Sequence, residues 1–115
     1  MKRIYIAGPY SADNVMDVLD NIGEGIDIST KMFKEGFAPF CLWLDYHYVL
    51  MDRQHKLTIK DFYDYSLAWL EVSDAMLVIG DWQSSKGTLN EIEFAKEKNI
   101  PVFYNIKELT EWTKH

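Results

Sequence analysis

The stretch Asp74–Ala95, DAMLVIGDWQSSKGTLNEIEFA, decides the fold. Its opening DAMLVIG is a near-continuous apolar run, the pattern of a strand covered on both faces of a parallel sheet. A short polar turn with one glycine follows. A helix then opens at Gly87-Thr88 and carries Glu91 within its first turn or so. Such a strand–turn–helix unit sets backbone N–H groups and a positive dipole end beside a carboxylate, at the mouth of a parallel sheet. It suits a phosphorylated or sugar-bearing ligand, held or attacked by a glutamate. An ordinary strand-to-helix connection with a solvated glutamate would read the same way, so the neighbouring segments must decide.

Working outward, Arg3–Ala7 (RIYIA) is a β-branched and aromatic run stopped by Gly8-Pro9, a first strand and a tight turn. A helix follows from Ser11 or Asp13. Val15, Val18, Leu19, Ile22, Ile26 and Phe33 recur at helical spacing until Gly36, a C-terminal stop. Gly23 and Gly25 within it either permit close packing on the sheet or mark a bend. FAPFCLW (37–43) is a second strand, pushed to an edge by Pro39. Residues 44–57 read as a mobile connection or a short helix. From Thr58, an N-cap, TIKDFYDYSLAWLEVS reads as a helix with Ile59, Phe62, Ser66, Trp69 and Leu70 inward. After the central unit, whose helix stripe is Leu89, Ile92 and Ala95, PVFYNI forms a fourth strand and a last short helix starts at Lys107. Alternating strands and helices predict one α/β domain over 1–115. Its architecture is a Rossmann-like three-layer sandwich, with a four- to five-stranded parallel sheet and helices on both faces. Ligands of such sheets sit beyond the C-terminal strand ends. That brings Gly8-Pro9-Tyr10, Phe40 to His47 and Asp81 to Glu91 to one edge.

The chain is 115 residues long, enough for a single core, and its 48% hydrophobic and 15% aromatic content excludes a disordered chain. A net charge of −6, with the acids spread along the chain, favours a small-molecule binder or enzyme over a nucleic-acid binder. Cys41 has no disulfide partner and no metal-ligand pattern around it, so it reads as buried packing. The apolar run after Met1-Lys2-Arg3 is too short for secretion or membrane insertion. The expectation is a cytoplasmic protein that meets no membrane.

Helix geometry separates the acids. Glu91 lies three residues after Thr88 on the same face, whereas Glu93 is turned about 200° away with the solvated Lys96 and Glu97. Glu91 is therefore the functional candidate. A carboxylate near a helix start is favoured in its ionised form, as a nucleophile requires. Ser84, Ser85, Gly87 and Thr88 offer hydroxyls and N–H groups to a phosphate or a sugar, although one serine would cap the helix in any case. Trp43 and Trp82 are candidates to stack on a base, and Asp45 and His47 lie near the expected base end. Aromatic packing in a core or interface is the competing fate of those tryptophans.

Taken together, IYIAGPY, LAWLEVSDA, SSKGTLNEIEFA and NIPVFY resemble the nucleoside 2-deoxyribosyltransferase superfamily from Ile4 to Tyr104. Within it, the small phage and bacterial proteins of the DUF4406 type and the deoxynucleoside 5′-monophosphate N-glycosidases are the nearest in kind. The resemblance implies cleavage of an N-glycosidic bond with no metal or organic cofactor. It places the family's nucleophilic glutamate on Glu91 and the tyrosine that orients it on Tyr5. The serine that contacts a 5′-phosphate falls on Ser85, and Gly8, Pro9, Tyr10, Asp81, Gly87 and Thr88 complete the expected substrate site.

One position departs from the family pattern. The aspartate expected in its D-L-x-x-L motif falls on Ser66. Asp64 is two residues away, about 200° off that face, and Asp81 is a freer candidate for a second acid. Either the site works differently here or the chain binds a nucleotide without turnover. GTLNE also matches the G-T-x-x-E of lysine-decarboxylase-like phosphoribohydrolases, but their longer P-G-G-x-G-T turn is absent. The aromatic load, four Trp, seven Tyr and six Phe, exceeds what a core of this size hides easily, which predicts a homodimer or larger homo-oligomer.

Overall fold

The computed structural model describes residues 1–114. Four parallel strands form one sheet in the order β2-β1-β3-β4, with β1 Arg3–Ala7, β2 Ala38–Cys41, β3 Ala75–Val78 and β4 Val102–Phe103. Five helices connect and flank them: α1 Val15–Lys34, α2 Tyr46–Met51, α3 Ile59–Glu71, α4 Lys86–Glu97 and α5 Ile106–Thr113. The order reverses direction after β2. Right-handed crossovers therefore put α1 on one face of the sheet and α3 and α4 on the other. The result is the expected three-layer sandwich. Tyr5 sits between Phe40 of β2 and Met76 of β3 in register, at the centre of the sheet.

Alternation along β1 assigns its side chains to the two layers. Tyr5 reaches Glu91 of α4 and stacks on Phe40, which in turn stacks on Trp69 of α3. Lys2, of opposite parity, lies over the ring of Trp112 in α5, and Trp112 packs on Phe103. All four residues of β3 are buried, as its unbroken apolar run required.

Local chemistry explains the element ends. The Asn14 side chain accepts from the Asp17 N–H at the start of α1, and Thr58 with Asp61 forms a capping box at the start of α3. Gly36 ends α1 with φ +94°, while the N–H groups of Phe37 and Gly36 bond to the carbonyls of Met32 and Phe33, a Schellman motif. Pro39 lies in the edge strand β2, where a missing donor costs least.

Several elements differ from the sequence expectation. β2 stops at Cys41, and Leu42–Asp45 turns into a 3-10 segment leading to α2. β4 is only two residues long, because Pro101 at its start has no N–H and Tyr104 already leaves the ladder. The face of α1 is rotated from the one expected. Gly25, Ser29 and Met32 are buried, whereas Val15, Leu19 and Phe33 are exposed. Size decides this: a Cβ on Gly25 would lie 2.2 Å from the ring of Trp43, so the helix packs its smallest residues against the largest buried side chain. Gly23 meets nothing within 4 Å, so of the two glycines only Gly25 serves close approach. In α3, Ser66 and Leu70 face inward as expected, but Ile59 is 90% exposed. In α4 the buried set is Thr88, Glu91, Ile92 and Ala95, with Leu89 at the margin.

Candidate functional site

The turn after β1 is held by contacts only small or rigid residues allow. A Cβ on Gly8 would lie 2.8 Å from the Ile79 carbonyl oxygen, so the ends of β1 and β3 close here only around glycine. The Pro9 carbonyl accepts from Trp43 Nε1 at 2.9 Å, and the Tyr10 carbonyl from Asn21 Nδ2 at 3.2 Å. The first bond also corrects a reading of Trp43. It is buried in the core, its one polar atom is used by the turn, and it is closed to a base. Trp82 likewise packs on Tyr104.

At the start of α4, the Ser85 side chain is the N-cap, accepting from the Thr88 N–H at 3.3 Å and from Thr88 Oγ1 at 2.9 Å. Both bonds use the serine oxygen as acceptor, which leaves its O–H as a donor at the edge of the cavity. The N–H groups of Lys86 and Gly87 have no protein acceptor among the described residues, and they form the exposed donor end of α4. Little more than one turn further on, Glu91 is buried while Glu93 is exposed, the separation that helix geometry predicts.

Glu91 Oε2 accepts a short hydrogen bond from the Tyr5 hydroxyl, and both side chains are buried. Burial pushes the Glu91 carboxyl from 4.5 up to about 7, the Tyr5 bond pulls it back, and the nearby Asp45 charge pushes it up further. Burial and the Glu91 charge hold the Tyr5 phenol well above its ordinary value, so it remains a proton donor. The Ser66 hydroxyl faces the same phenol. Asp45, half-buried at the end of the 3-10 segment, is raised from 3.8 to about 6 by burial, with the Tyr10 hydroxyl opposing.

Two cavities meet at Glu91. One, of about 290 Å³, is lined by Tyr10, Ser11, Asp45, Val49, Ile59, Phe62, Tyr63, Ser66 and Glu91. The other, of about 390 Å³, runs over Gly8, Pro9, Leu42 and the start of α4 from Ser84 to Thr88. Tyr10, Ser11, Ile59 and Glu91 border both. The first lobe is aromatic and acidic, without a cationic side chain in its lining. The second is also largely apolar in its walls, but it has Lys86 and the α4 donor end at its rim.

The structure therefore gathers Tyr5, Gly8, Pro9, Tyr10, Ser85, Gly87, Thr88 and Glu91 around one double cavity. Asp81 is elsewhere. Its carboxylate accepts from Ser84 Oγ at 3.0 Å, and it borders a separate groove with Asp13, Asp17 and Glu24. It is not a second acid beside Glu91. Asp64 pairs with Lys60 on the outer face of α3. His47 is exposed, its Nδ1 3.0 Å from the Leu44 carbonyl oxygen. Sequence reasoning had Asp45 at the correct strand end but gave it no role, since its direction depends on the 3-10 turn that ends β2. Among the described residues, no group of three or more His, Cys, Asp or Glu side chains is arranged to hold a metal ion.

Fold and site together define a Rossmann-like α/β domain with a buried tyrosine–glutamate pair at the C-terminal edge of its sheet. The chain belongs to a family described as a domain of unknown function (DUF7768), which it matches over residues 2–105. A comparison with curated proteins finds no match.

Proposed function

We propose that the protein cleaves or transfers the N-glycosidic bond of a deoxynucleoside or its 5′-monophosphate, with Glu91 as nucleophile. The observation that carries this reading is the buried Tyr5–Glu91 pair, with Glu91 at the junction of an aromatic, acidic lobe and one rimmed by the start of α4. Tyr5 holds Oε2, so Oε1 is left to meet an anomeric carbon. An oxocarbenium-like transition state gains from a carboxylate fixed below it in a low-dielectric pocket. The aromatic lobe suits a base, and the donor end of α4 with Lys86 suits a phosphate. The sequence resemblance to nucleoside 2-deoxyribosyltransferases supplies the reaction class.

The test is base release from a panel of deoxynucleosides, their monophosphates and the matching ribonucleotides, with and without an acceptor base. Release is expected from deoxy substrates and is expected to vanish in Glu91→Ala. No release from any substrate, or release unchanged in that variant, sinks the catalytic reading. Ser66, standing where the family has an aspartate, favours one alternative: a nucleotide-binding protein without turnover. It predicts a higher melting temperature with nucleotide and no product.

A further inference from the structure

We propose that Asp45, on the turn that follows β2, is the proton-carrying partner of Glu91, serving the leaving base in place of the carboxylate absent at position 66. The inference rests on the N-glycosidase reading above and names the residue that completes it.

The acid comes from a different element than α3, where Ser66 offers only a hydroxyl to the same lobe. Leu42–Asp45 winds into a 3-10 turn directly after β2, and Asp45 at its end reaches the lobe and the Tyr10 hydroxyl. Asp45 and Glu91 then line one lobe from different walls, one from the β2 end and one from α4. The other ionisable groups that act on Asp45 or feel its charge are phenols. Tyr10 comes from the β1 turn, Tyr5 from β1 and Tyr65 from α3. No cation lines the lobe, so nothing there forces both carboxyls to ionise together.

Two acids in one desolvated lobe give up their protons in turn, as a pair. Asp45 rises to about 6 and Glu91 to about 7, burial being the largest cause for each. Between those values the pair holds one proton. In the empty lobe that proton belongs to the pair of carboxyls together. A bound base whose ring nitrogen accepts from Asp45 draws the pair toward the reactive arrangement, with Glu91 ionised and Asp45 protonated.

The chemistry closes on itself. Glu91 Oε1 forms a bond to C1′ as the C1′–N bond breaks. The bonding electron pair passes to the base, which takes its proton from the Asp45 carboxyl. A water molecule then gives a proton to the Asp45 carboxylate, and its oxygen adds to C1′, releasing Glu91. One nucleoside and one water become one base and one sugar, with both acids restored.

Leaving-group chemistry tests the role. The N7-methylated base of 7-methyl-2′-deoxyguanosine 5′-monophosphate carries a positive charge and leaves without being protonated. Deoxyguanosine 5′-monophosphate requires a proton. Asp45→Asn is expected to lose about a hundredfold or more in kcat/KM on the unmethylated substrate, as for a general acid. On the methylated one it should stay within a fewfold of the wild type. Its residual activity should also rise with pH to a plateau, without the alkaline decline of the wild type. Equal losses on both substrates in a variant that melts like the wild type, or no loss on either, would overturn the proposal while leaving Glu91 as nucleophile. Asp45→Ser is the second variant if the asparagine form melts early, judged by the same split. A wild type that releases base from neither substrate removes the N-glycosidase reading itself, and this assignment with it.

Discussion

At the scale of single residues, Glu91 is where the site and the stability of the fold meet. Its folded pKa of about 7 lies above its ordinary 4.5 because it is buried. The folded protein thus holds this proton more tightly than the unfolded chain. Its stabilising effect is complete below about pH 4.5, falls as pH rises toward 7, and stays lost above that. A shift of this size corresponds to roughly 3 kcal/mol. Asp45, also raised, acts in the same direction. Glu91→Gln keeps the shape and an oxygen that accepts from Tyr5, but never ionises. The variant should match the wild type in urea unfolding at pH 4.5 and exceed it by up to roughly 3 kcal/mol at pH 8. The same offset at both pH values would mean that the carboxyl is not the source. The placing of Glu91 was legible from the sequence, since a helix position two residues away from Glu93 must face oppositely. The role of Asp45 was not, because no local rule says where a side chain points after a strand breaks into a 3-10 turn.

At the scale of elements, strand identity and order of events along the chain were readable, while helix faces were read less well. β3 and the edge position of β2 followed from an unbroken apolar run and one proline. The face of α1 was read only in part. Ile22 and Ile26 pack against the core as expected, but packing against Trp43 selected small residues where Val15, Leu19 and Phe33 were expected to face inward. Gly25 and Ser29 carry no hydrophobic signal, yet they let the indole lie against the helix and hold the Pro9 carbonyl. The two glycines of α1 should therefore respond oppositely to alanine. Gly23→Ala adds a methyl group to open space and should stabilise the protein by about 0.5–1 kcal/mol through helix propensity. Gly25→Ala drives a Cβ to within 2.2 Å of the Trp43 ring, and should destabilise by about 1–3 kcal/mol or more. Thermal unfolding of the pair decides it, and equal shifts would rule out the close approach of Gly25 to Trp43. The displaced indole should also loosen the Pro9 turn, so the Gly25 variant is expected to bind nucleotide more weakly.

At the scale of the whole molecule, the exposed apolar surface is the feature the single chain leaves unexplained. Scattered apolar residues on a surface are ordinary, but here they recur on the same elements. Val15, Met16 and Leu19 are exposed on the first turns of α1, and Val49, Leu50 and Met51 on α2. Ile59, 90% exposed at the start of α3, stands at the border of both lobes of the cavity. Val49 and Ile59 edge the aromatic lobe, but the other exposed residues do not line it, and α2 buries no residue at all. No helix among the described residues is long and apolar enough to cross a membrane, so these side chains do not form a membrane span. Association of identical chains through α2 and the start of α3 would cover Val49, Leu50, Met51 and Ile59. The expected mass in light scattering at micromolar concentration is at least that of a dimer. Ile59→Lys combined with Leu50→Lys should shift it to the monomer without lowering the helical content seen by circular dichroism. A wild type that runs as a monomer removes the idea. A double variant that remains fully dimeric moves the interface away from α2 and α3.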